Sequence, residues 1–252
     1  MMTTTTQQRL LALNRAFYAA VADEFDRTRA GLPAGWAAVL KHIPQGSAGA
    51  PITVLDAGCG NGRFARALDG LGIPFCYAGL DVDAALLARA AQNTGELIHG
   101  TVRFVPADLA EPGWSNNIAA QPPAFDLIAC FAMLHHLPGY TLRLQVVKEL
   151  ASLLAVGGRL VFSHWQFLTS ARFVQKQIAW QTVGLADADV EPGDALLPWQ
   201  QGGYAVRYVH QIDEEEMARL AHAAGLTVVE TFYADGKEGN LNLYTVLVTA
   251  PA

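Results

Sequence analysis

The feature that most constrains this chain is a run of alternating glycines in residues 54–68, which read VLDAGCGNGRFARAL. An apolar, strand-like stretch leads into Gly58, Gly60 and Gly62, and a helical pattern follows them. Glycine adopts backbone dihedrals that other residues avoid, and it lets a ligand approach the main chain closely. A strand, a glycine turn and a helix in this order predict a nucleotide-type ligand site in an α/β fold.

The spacing of the glycines distinguishes two classes of ligand. A dinucleotide fingerprint needs a glycine where Arg63 stands, and it presents helix-end amides to an anionic pyrophosphate. This chain instead has Asp56 two residues before Gly58, and a carboxylate suits a cation. S-adenosylmethionine (SAM) carries a sulfonium and an ammonium but no phosphate. The turn therefore predicts a SAM site that includes Asp56, Gly58, Cys59 and Gly60, and the alternative is a turn without a ligand.

Strand patterns alternate with helical patterns along most of the chain. Strands are predicted over Ile52–Leu55, Phe75–Leu80, Val102–Val105, Asp126–Phe131, Arg159–His164, Leu226–Phe232 and Leu241–Thr249, and helices over Arg9–Asp26, Pro33–His42, Arg63–Leu71, Asp83–Asn93, Leu142–Leu154 and Asp213–Ala224. Such alternation predicts an α/β fold with a parallel, doubly wound sheet. The 52% hydrophobic and 16% charged residues agree with a sheet that is buried on both faces.

A length of 252 residues suits one α/β domain with a modest insertion. Its predicted parts are N-terminal helices or a lid (1–50), a SAM-binding core (51–165), a cap insertion (166–208), and a closing helix with two strands (209–252). Residues 1–7 lack apolar periodicity and are predicted to be disordered. The cap also lacks clear periodicity, and we expect it over the site because ligands bind at the carboxyl ends of the strands.

Acidic residues end the second and third strands. Asp81, beside Val82, stands where a carboxylate accepts the ribose hydroxyls of a nucleotide. The alternative for Asp81 is a helix N-cap, but Asp83 is better placed for that role. Asp108 is predicted to accept the adenine amino group while the Leu109 amide meets a ring nitrogen, and the alternative for Asp108 is the start of a turn.

The fourth strand delivers Phe131, His135 and His136 to the same edge of the sheet. We expect Phe131 along the methionine portion of SAM. Either histidine could take a proton from a nucleophile, or the pair could serve as a packing or capping element. Near the N-terminus, Tyr18 lies in the segment FYAAVADEFDRTR, which is either an amphipathic helix on the sheet or a lid with an aromatic ring beside the sulfonium.

Charge and cysteine content narrow the possible partners and surroundings. The formal net charge is −6, which disfavours unaided binding of nucleic acid. Cys59, Cys76 and Cys130 lack CxxC spacing and are predicted to be buried small hydrophobes, with neither a disulfide nor a metal site. We see neither a secretory signal nor a membrane-spanning run, so a cytoplasmic protein without a membrane partner is expected.

These motifs resemble those of the class I SAM-dependent methyltransferases of the type 11 kind. DAGCGNG looks like their first motif, Asp81 like their ribose acid and Asp108 like their adenine acid. FDLIACFAMLHHL and LLAVGGRLVFSHW are similar to their fourth-strand motif and to the segment after it. The resemblance implies a methyltransferase with a Rossmann-like, seven-stranded, mostly parallel sheet, helices on both faces, a small cap and an antiparallel last strand.

A finer resemblance concerns the tRNA wobble-uridine carboxymethyl methyltransferases. The residues that carry it are Arg29, Trp165, Pro198-Trp199, the run RYVH at 207–210 and Asn240. It implies a carboxylate acceptor on tRNA, held by Arg29 or Arg207, and a small zinc-binding activator subunit. Arg207 as a surface charge and Trp199 as a cap core residue are the alternatives. A small metabolite as acceptor, or a non-catalytic SAM-binding subunit, are the alternative functions.

Overall fold

The computed structural model describes residues 2–27, 31–44, 50–118, 124–201 and 203–250, without the side chains of 22–27 and 117. Its strands are β1 (Ile52–Ala57), β2 (Phe75–Asp81), β3 (Gly100–Pro106), β4 (Phe125–Phe131), β5 (Leu154–Trp165), β6 (Asp194–Trp199), β7 (Ala205–His210), β8 (Leu226–Ala234) and β9 (Asn242–Thr249). Its α-helices are α1 (Thr4–Arg27), α2 (Trp36–Val39), α3 (Arg63–Asp69), α4 (Ala84–Asn93), α5 (Tyr140–Ser152), α6 (Ala171–Val174) and α7 (Glu214–Ala223).

Seven strands form one sheet in the order β3-β2-β1-β4-β5-β9-β8. Strands β1 to β5 pair in parallel, whereas β9 runs antiparallel to both β5 and β8. This confirms the predicted Rossmann-like sheet with an antiparallel last strand. The strand order reverses between β1 and β4, and the crevice at such a reversal is where ligands bind in open α/β sheets.

Helices cover both faces of the sheet, as predicted. Alternate residues of a strand point to opposite faces, and β1 illustrates the consequence. Val54 packs in the cluster that includes helix α3, while Leu55 packs in the cluster that includes α5 and α7. Both side chains have no solvent-exposed surface. The two apolar layers hold the carboxyl ends of β1 and β4 in fixed positions beneath the cap.

One prediction about the N-terminus was wrong, and the cap contains an element that was not predicted. The described residues of the N-terminal segment 1–7, which begin at residue 2, are not disordered, because α1 begins at Thr4 and Gln7 donates from Nε2 to the Pro138 carbonyl at 2.9 Å. The cap also forms a hairpin of β6 and β7, which extends to His210 and which no periodicity indicated. Pro198 lies inside β6, a position that is compatible with a two-stranded sheet because both strands are edges.

A buried ionic network joins the cap to the core. Arg143 of α5 is 1% exposed and donates to Glu216 at 2.8 Å and to Glu191 at 2.9 Å. His210 of β7 lies between Asp194 at 2.7 Å and Glu216 at 2.8 Å. Burial lowers the pKa of His210, but its two carboxylate partners outweigh burial and leave this pKa raised. Charged groups that are largely buried therefore connect the cap to the core.

Cys59 and Cys130 are buried as predicted, whereas Cys76 is only partly buried. Among the described residues, no helix combines the length and the apolar character that a bilayer span requires.

Candidate functional site

A cavity of about 600 Å³ opens at the carboxyl ends of β1, β4 and β5. Its walls come from the glycine turn after β1, the cap, the β8–β9 turn and residues 31–36, which we call the strap. Of the residues that were predicted to form a site, Asp56, Gly58, Cys59, Gly60, Phe131, His135, His136 and Arg207 line this cavity. The fold thus brings most of the predicted residues together.

The glycine turn presents bare main chain to the cavity. Gly58, Gly60 and Gly62 have φ values of +87°, +54° and +80°, a region that side chains with a Cβ rarely adopt. A Cβ on Gly60 would meet no protein atom within 4 Å, so the space in front of it belongs to the cavity. At Gly58 a Cβ would lie 2.8 Å from the Met133 side chain. The turn is therefore specified both by its dihedrals and by close packing.

Asp56 places a buried carboxyl at the base of this turn. Its Oδ2 accepts a hydrogen bond from the Tyr77 hydroxyl at 2.6 Å. Burial raises the pKa of Asp56 to about 7, although the Tyr77 hydrogen bond opposes the rise. Near neutral pH the group is thus poised between its acid and its carboxylate, and a neighbouring cation would favour the carboxylate.

Asp81 is tied into the glycine turn. Its Oδ2 accepts from the Gly60 N–H at 2.9 Å and its Oδ1 from the Asp83 N–H at 3.0 Å. Asp83 caps α4 by accepting from the Ala85 and Leu86 N–H groups, which settles the N-cap question as predicted. The Asp81 carboxylate keeps lone pairs for a ligand, and it also holds the turn in shape.

The third strand ends in an Asx turn. Asp108 accepts from the Ala110 N–H at 2.9 Å and pairs with Arg15 of α1 at 2.5 Å. Leu109 is buried, whereas Val82 after β2 is 55% exposed and offers an apolar surface beside Asp81. The adenine contact of Asp108 stays a prediction, and Arg15 is a partner that sequence reasoning missed.

An aromatic wall follows the fourth strand. The ring of Phe131 lies 5.3 Å from that of Trp36, 5.0 Å from that of Phe64 and 6.2 Å from that of Tyr244. The next residue, Ala132, has φ +51° and donates from its N–H to the Ser163 hydroxyl at 3.1 Å. Backbone strain of this kind persists where the surrounding structure fixes it, which is common at functional sites.

The two histidines differ in their partners. His136 Nδ1 lies 3.3 Å from the Tyr208 carbonyl, and its Nε2 lies 2.7 Å from the Tyr18 hydroxyl. Because a carbonyl only accepts, Nδ1 carries a proton, and in the neutral imidazole Nε2 then accepts from Tyr18. His135 is 2% exposed, and its Nδ1 accepts from the Trp165 N–H at 3.4 Å. The structure thus directs Tyr18 at His136, and its contact with SAM stays a prediction.

Arg207 lies in an aromatic cage instead of on the surface. Its guanidinium carbon is 4.6 Å from the Trp165 ring centre and 5.4 Å from that of Phe17. Burial lowers the pKa of Arg207 and a hydrogen bond with Tyr18 raises it, but an arginine stays protonated. Within the described residues, Nε has no hydrogen-bond partner and the guanidinium has no carboxylate partner.

Trp199 lines the cavity beside Arg207 and is not a cap core residue. Its ring centre lies 6.2 Å from that of Phe17, and its Nε1 donates to the Gln201 carbonyl at 2.6 Å. The second predicted cation, Arg29, lies outside the described residues.

Comparisons with known proteins agree on the class of this chain. Residues 25–231 match the family described as methyltransferase domain. The chain belongs to the class I SAM-dependent methyltransferases.

Two curated relatives and one solved structure illustrate the match. A candidate methyltransferase of Encephalitozoon cuniculi is 30% identical over 180 residues, which cover 70% of this chain and 71% of that protein. A ubiquinone biosynthesis O-methyltransferase of Thiobacillus denitrificans is 30% identical over 177 residues, or 70% of this chain and 65% of that enzyme. A SAM-dependent methyltransferase structure from Methanosarcina mazei superposes with a TM-score of 0.66 at 17% identity, covering 85% of this chain and 98% of that one. The chain matches less than half the length of several further ubiquinone O-methyltransferases.

The donor set of this methyltransferase fits its cofactor, SAM. The turn at Gly60 leaves space that a side chain would fill, Asp56 offers a buried carboxyl to a cation, and Asp81 keeps acceptor capacity. The comparisons do not support the finer resemblance to the tRNA enzymes, so that acceptor and its zinc-binding subunit stay predictions.

Proposed function

We propose that this methyltransferase transfers the methyl group of SAM to an anionic oxygen on a small acceptor with an apolar or aromatic body. The observation that carries the proposal is the guanidinium of Arg207 in the wall of the cavity, which lies between aromatic rings and has no carboxylate partner among the described residues. When bound, SAM supplies a methyl group on a positively charged sulfur. The chain's own residues then have to hold SAM, align the acceptor and keep water out.

The cofactor half would be formed by the glycine turn and its carboxylates. Asp56 would face a cationic part of SAM, and Asp81 would accept from the ribose hydroxyls. Asp108 would receive the adenine amino group. The exposed side chain of Val82 would cover one face of the adenine ring.

The acceptor half is organised around one cation. A partly buried cation without a carboxylate partner is unfavourable, and an anionic ligand would relieve that cost. A guanidinium binds carboxylates and other oxyanions through paired hydrogen bonds. A carboxylate is already ionised at neutral pH, so it needs no general base before it attacks the methyl group. Arg207 would therefore position the nucleophile instead of activating it.

The charges of the cap favour a small acceptor over RNA. Residues 166–208 contain three basic side chains (Arg172, Lys176, Arg207) and four acidic ones (Asp187, Asp189, Glu191, Asp194), and the whole chain carries a formal charge of −6. RNA-binding surfaces carry the opposite charge. An oxygen acceptor also agrees with relatives that are named as O-methyltransferases.

The test is methyl transfer from labelled SAM to matched acceptors. The panel pairs aromatic carboxylic acids with their amides and methyl esters, and it includes phenols, which are neutral at neutral pH, and tRNA with a carboxymethyl uridine. We expect transfer to the small carboxylic acids only. Arg207→Met should raise the acceptor KM by about 100-fold, as for the loss of a charge-assisted pair, and leave SAM binding unchanged. Arg207→Lys should be intermediate.

Arg172 supplies a matched control, because it is an exposed cap arginine beside the Phe173 ring. Arg172→Met should keep the wild-type acceptor KM. Transfer to neutral acceptors with Arg207→Met still active would overturn the proposal. Transfer to tRNA alone would replace the small acceptor with RNA, and a loss of activity in His136→Ala but not in Arg207→Met would replace anion positioning with base catalysis.

A further inference from the structure

Asp235, in the turn between β8 and β9, shares an unusual backbone with Ala132. Among the described residues these are the two non-glycine residues with positive φ, at +66° for Asp235 and +51° for Ala132. Both line the cavity. Left-handed backbone at such residues persists only where the neighbouring contacts fix it. The contacts of Asp235 therefore indicate what holds this turn against the cavity.

The Asp235 carboxylate joins two distant parts of the chain. Its Oδ1 accepts from the Gly35 N–H of the strap at 3.0 Å. Its Oδ2 accepts from Asn242 Nδ2 at 2.8 Å and from the Tyr244 hydroxyl at 2.6 Å, both on β9. One side chain thus fastens the strap to the sheet.

The strap forms the wall of the cavity nearest the glycine turn. Trp36 lies between Phe64 and Phe131, with ring centres 5.2 Å and 5.3 Å away. Its buried Nε1 has no hydrogen-bond partner among the described residues, so the indole is held by ring packing and by the Arg63 guanidinium, whose carbon lies 5.5 Å from the ring centre. A second polar tie runs from Arg63 Nη1 to the Gly31 carbonyl at 2.9 Å.

Gly35 fits against β9 without any spare room. A Cβ at this position would lie 2.3 Å from the Tyr244 ring. The backbone of Gly35 is in the right-handed helical region, so alanine would be free of dihedral strain there. Gly35→Ala would therefore push the strap off the sheet by contact, without any change to Asp235.

We propose that Asp235 is a positioning residue that latches the strap over bound SAM and slows the release of the cofactor. The latch closes the cavity at the aromatic wall of Trp36 and Phe131, beside the glycine turn. Its action concerns the cofactor half, so it holds whichever acceptor is methylated.

The experiment measures the dissociation of SAM by stopped-flow displacement with an excess of S-adenosylhomocysteine. Asp235→Ala removes the acceptor for the Gly35 N–H, and we expect dissociation to be about tenfold faster or more, since a charge-assisted hydrogen bond is lost. The KM for SAM should rise, while kcat at saturating SAM should change less than threefold. Gly35→Ala should give the same shift by a different route. Asp235→Asn keeps an oxygen for Gly35 and should recover part of the wild-type rate.

Asp69 provides the control for a purely structural effect. Its Oδ1 also accepts two backbone N–H groups, from Ile98 and His99, but it does not line the cavity. Asp69→Ala should lower the melting temperature and leave the SAM dissociation rate unchanged. The proposal is overturned if Asp235→Ala and Gly35→Ala release SAM at the wild-type rate, or if Asp69→Ala accelerates release as much as they do. Should Asp235→Ala fail to fold, Gly35→Ala and Asp235→Asn decide the question by the same measurement.

Discussion

The cofactor half and the acceptor half of the cavity differ in how their charged side chains are partnered. In the cofactor half, the carboxyls of Asp56 and Asp81 already have protein donors, from the Tyr77 hydroxyl and from backbone N–H groups. In the acceptor half, the guanidinium of Arg207 rests between aromatic rings with no carboxylate partner among the described residues. The carboxyls of the first half have donors within the protein, whereas the cation of the second half has no negatively charged partner among the described residues.

This difference implies that the halves can be damaged separately. The cofactor half is built by one turn and two adjacent strands, so changes there should alter SAM binding. The acceptor half depends on the cap, whose position relies on the Arg143 network. Changes in that network should lower the stability and weaken acceptor binding more than they affect SAM binding.

The largest effect is expected at Gly60. Gly60→Val would place a β-branched side chain at φ +54° and fill space that belongs to the cavity. We expect no detectable SAM binding by calorimetry, and a loss of about 1–3 kcal/mol in stability from the backbone strain. Gly225→Val is the matched control, because Gly225 has φ +71° and open space around it but does not line the cavity. A Gly60→Val protein that binds SAM would remove the glycine turn from the cofactor half.

The second effect concerns the anchor of the cap. Arg143→Met leaves Glu191 and Glu216 without their buried cation, and we expect a loss of about 3–5 kcal/mol in the free energy of unfolding. Arg219→Met removes an exposed arginine that pairs with Glu215, and it should change stability by less than about 0.5 kcal/mol. Chemical denaturation measures both. If Arg143→Met folds, its acceptor KM should rise while its affinity for SAM stays near wild type.

Site residues could be predicted best where they lie close together in the sequence. Asp56, the glycines and Asp81 come from one strand–turn–helix unit and the strand beside it, so spacing alone predicted their neighbourhood. The partner of Asp56 was missed, although Tyr77 lies opposite Val54 on the adjacent strand and therefore shares the face of Asp56. A register between strands cannot be read from either strand alone.

The acceptor half was less predictable because it is assembled from distant segments. Phe17, Trp165 and Arg207 come from α1, β5 and β7, and no spacing in the chain links them. Asp235 escaped notice because its chemistry depends on Gly35, 200 residues away in the chain. The hairpin of β6 and β7 was also missed, since a proline inside β6 obscured its strand pattern.

A smaller effect is expected at Asp81. Asp81→Ala removes the predicted ribose acceptor and the acceptor for the Gly60 N–H, so SAM binding should weaken by about 2–4 kcal/mol. Asp83→Ala removes only the N-cap of α4 and should cost about 1 kcal/mol of stability without changing SAM affinity. Calorimetric titration of both variants tests the assignment, which fails if Asp81→Ala binds SAM as tightly as wild type.

The smallest effect is a dependence of SAM affinity on pH that distinguishes Asp56 from Arg207. Burial raises the pKa of Asp56 to about 7. Below that pH the Asp56 carboxyl of the protein without SAM is mostly protonated, and a bound cation would displace its proton. SAM affinity should therefore increase as pH rises toward 7 and level off above it, by at most about tenfold per pH unit. Arg207 stays charged throughout this range and should contribute no such slope.

Tyr77→Phe sharpens the test, because the lost hydrogen bond no longer opposes the raised pKa of Asp56. The rise in affinity should then move to higher pH, while the free energy of unfolding at neutral pH decreases because an ionised Asp56 loses its donor. Calorimetry in buffers of different ionisation enthalpy measures the released proton directly. An affinity that does not change from pH 5.5 to 8.5, with no proton released, would contradict this prediction. It would mean that Asp56 does not interact with the positive charge of SAM and that, of the two, only the backbone of the glycine turn contributes to binding.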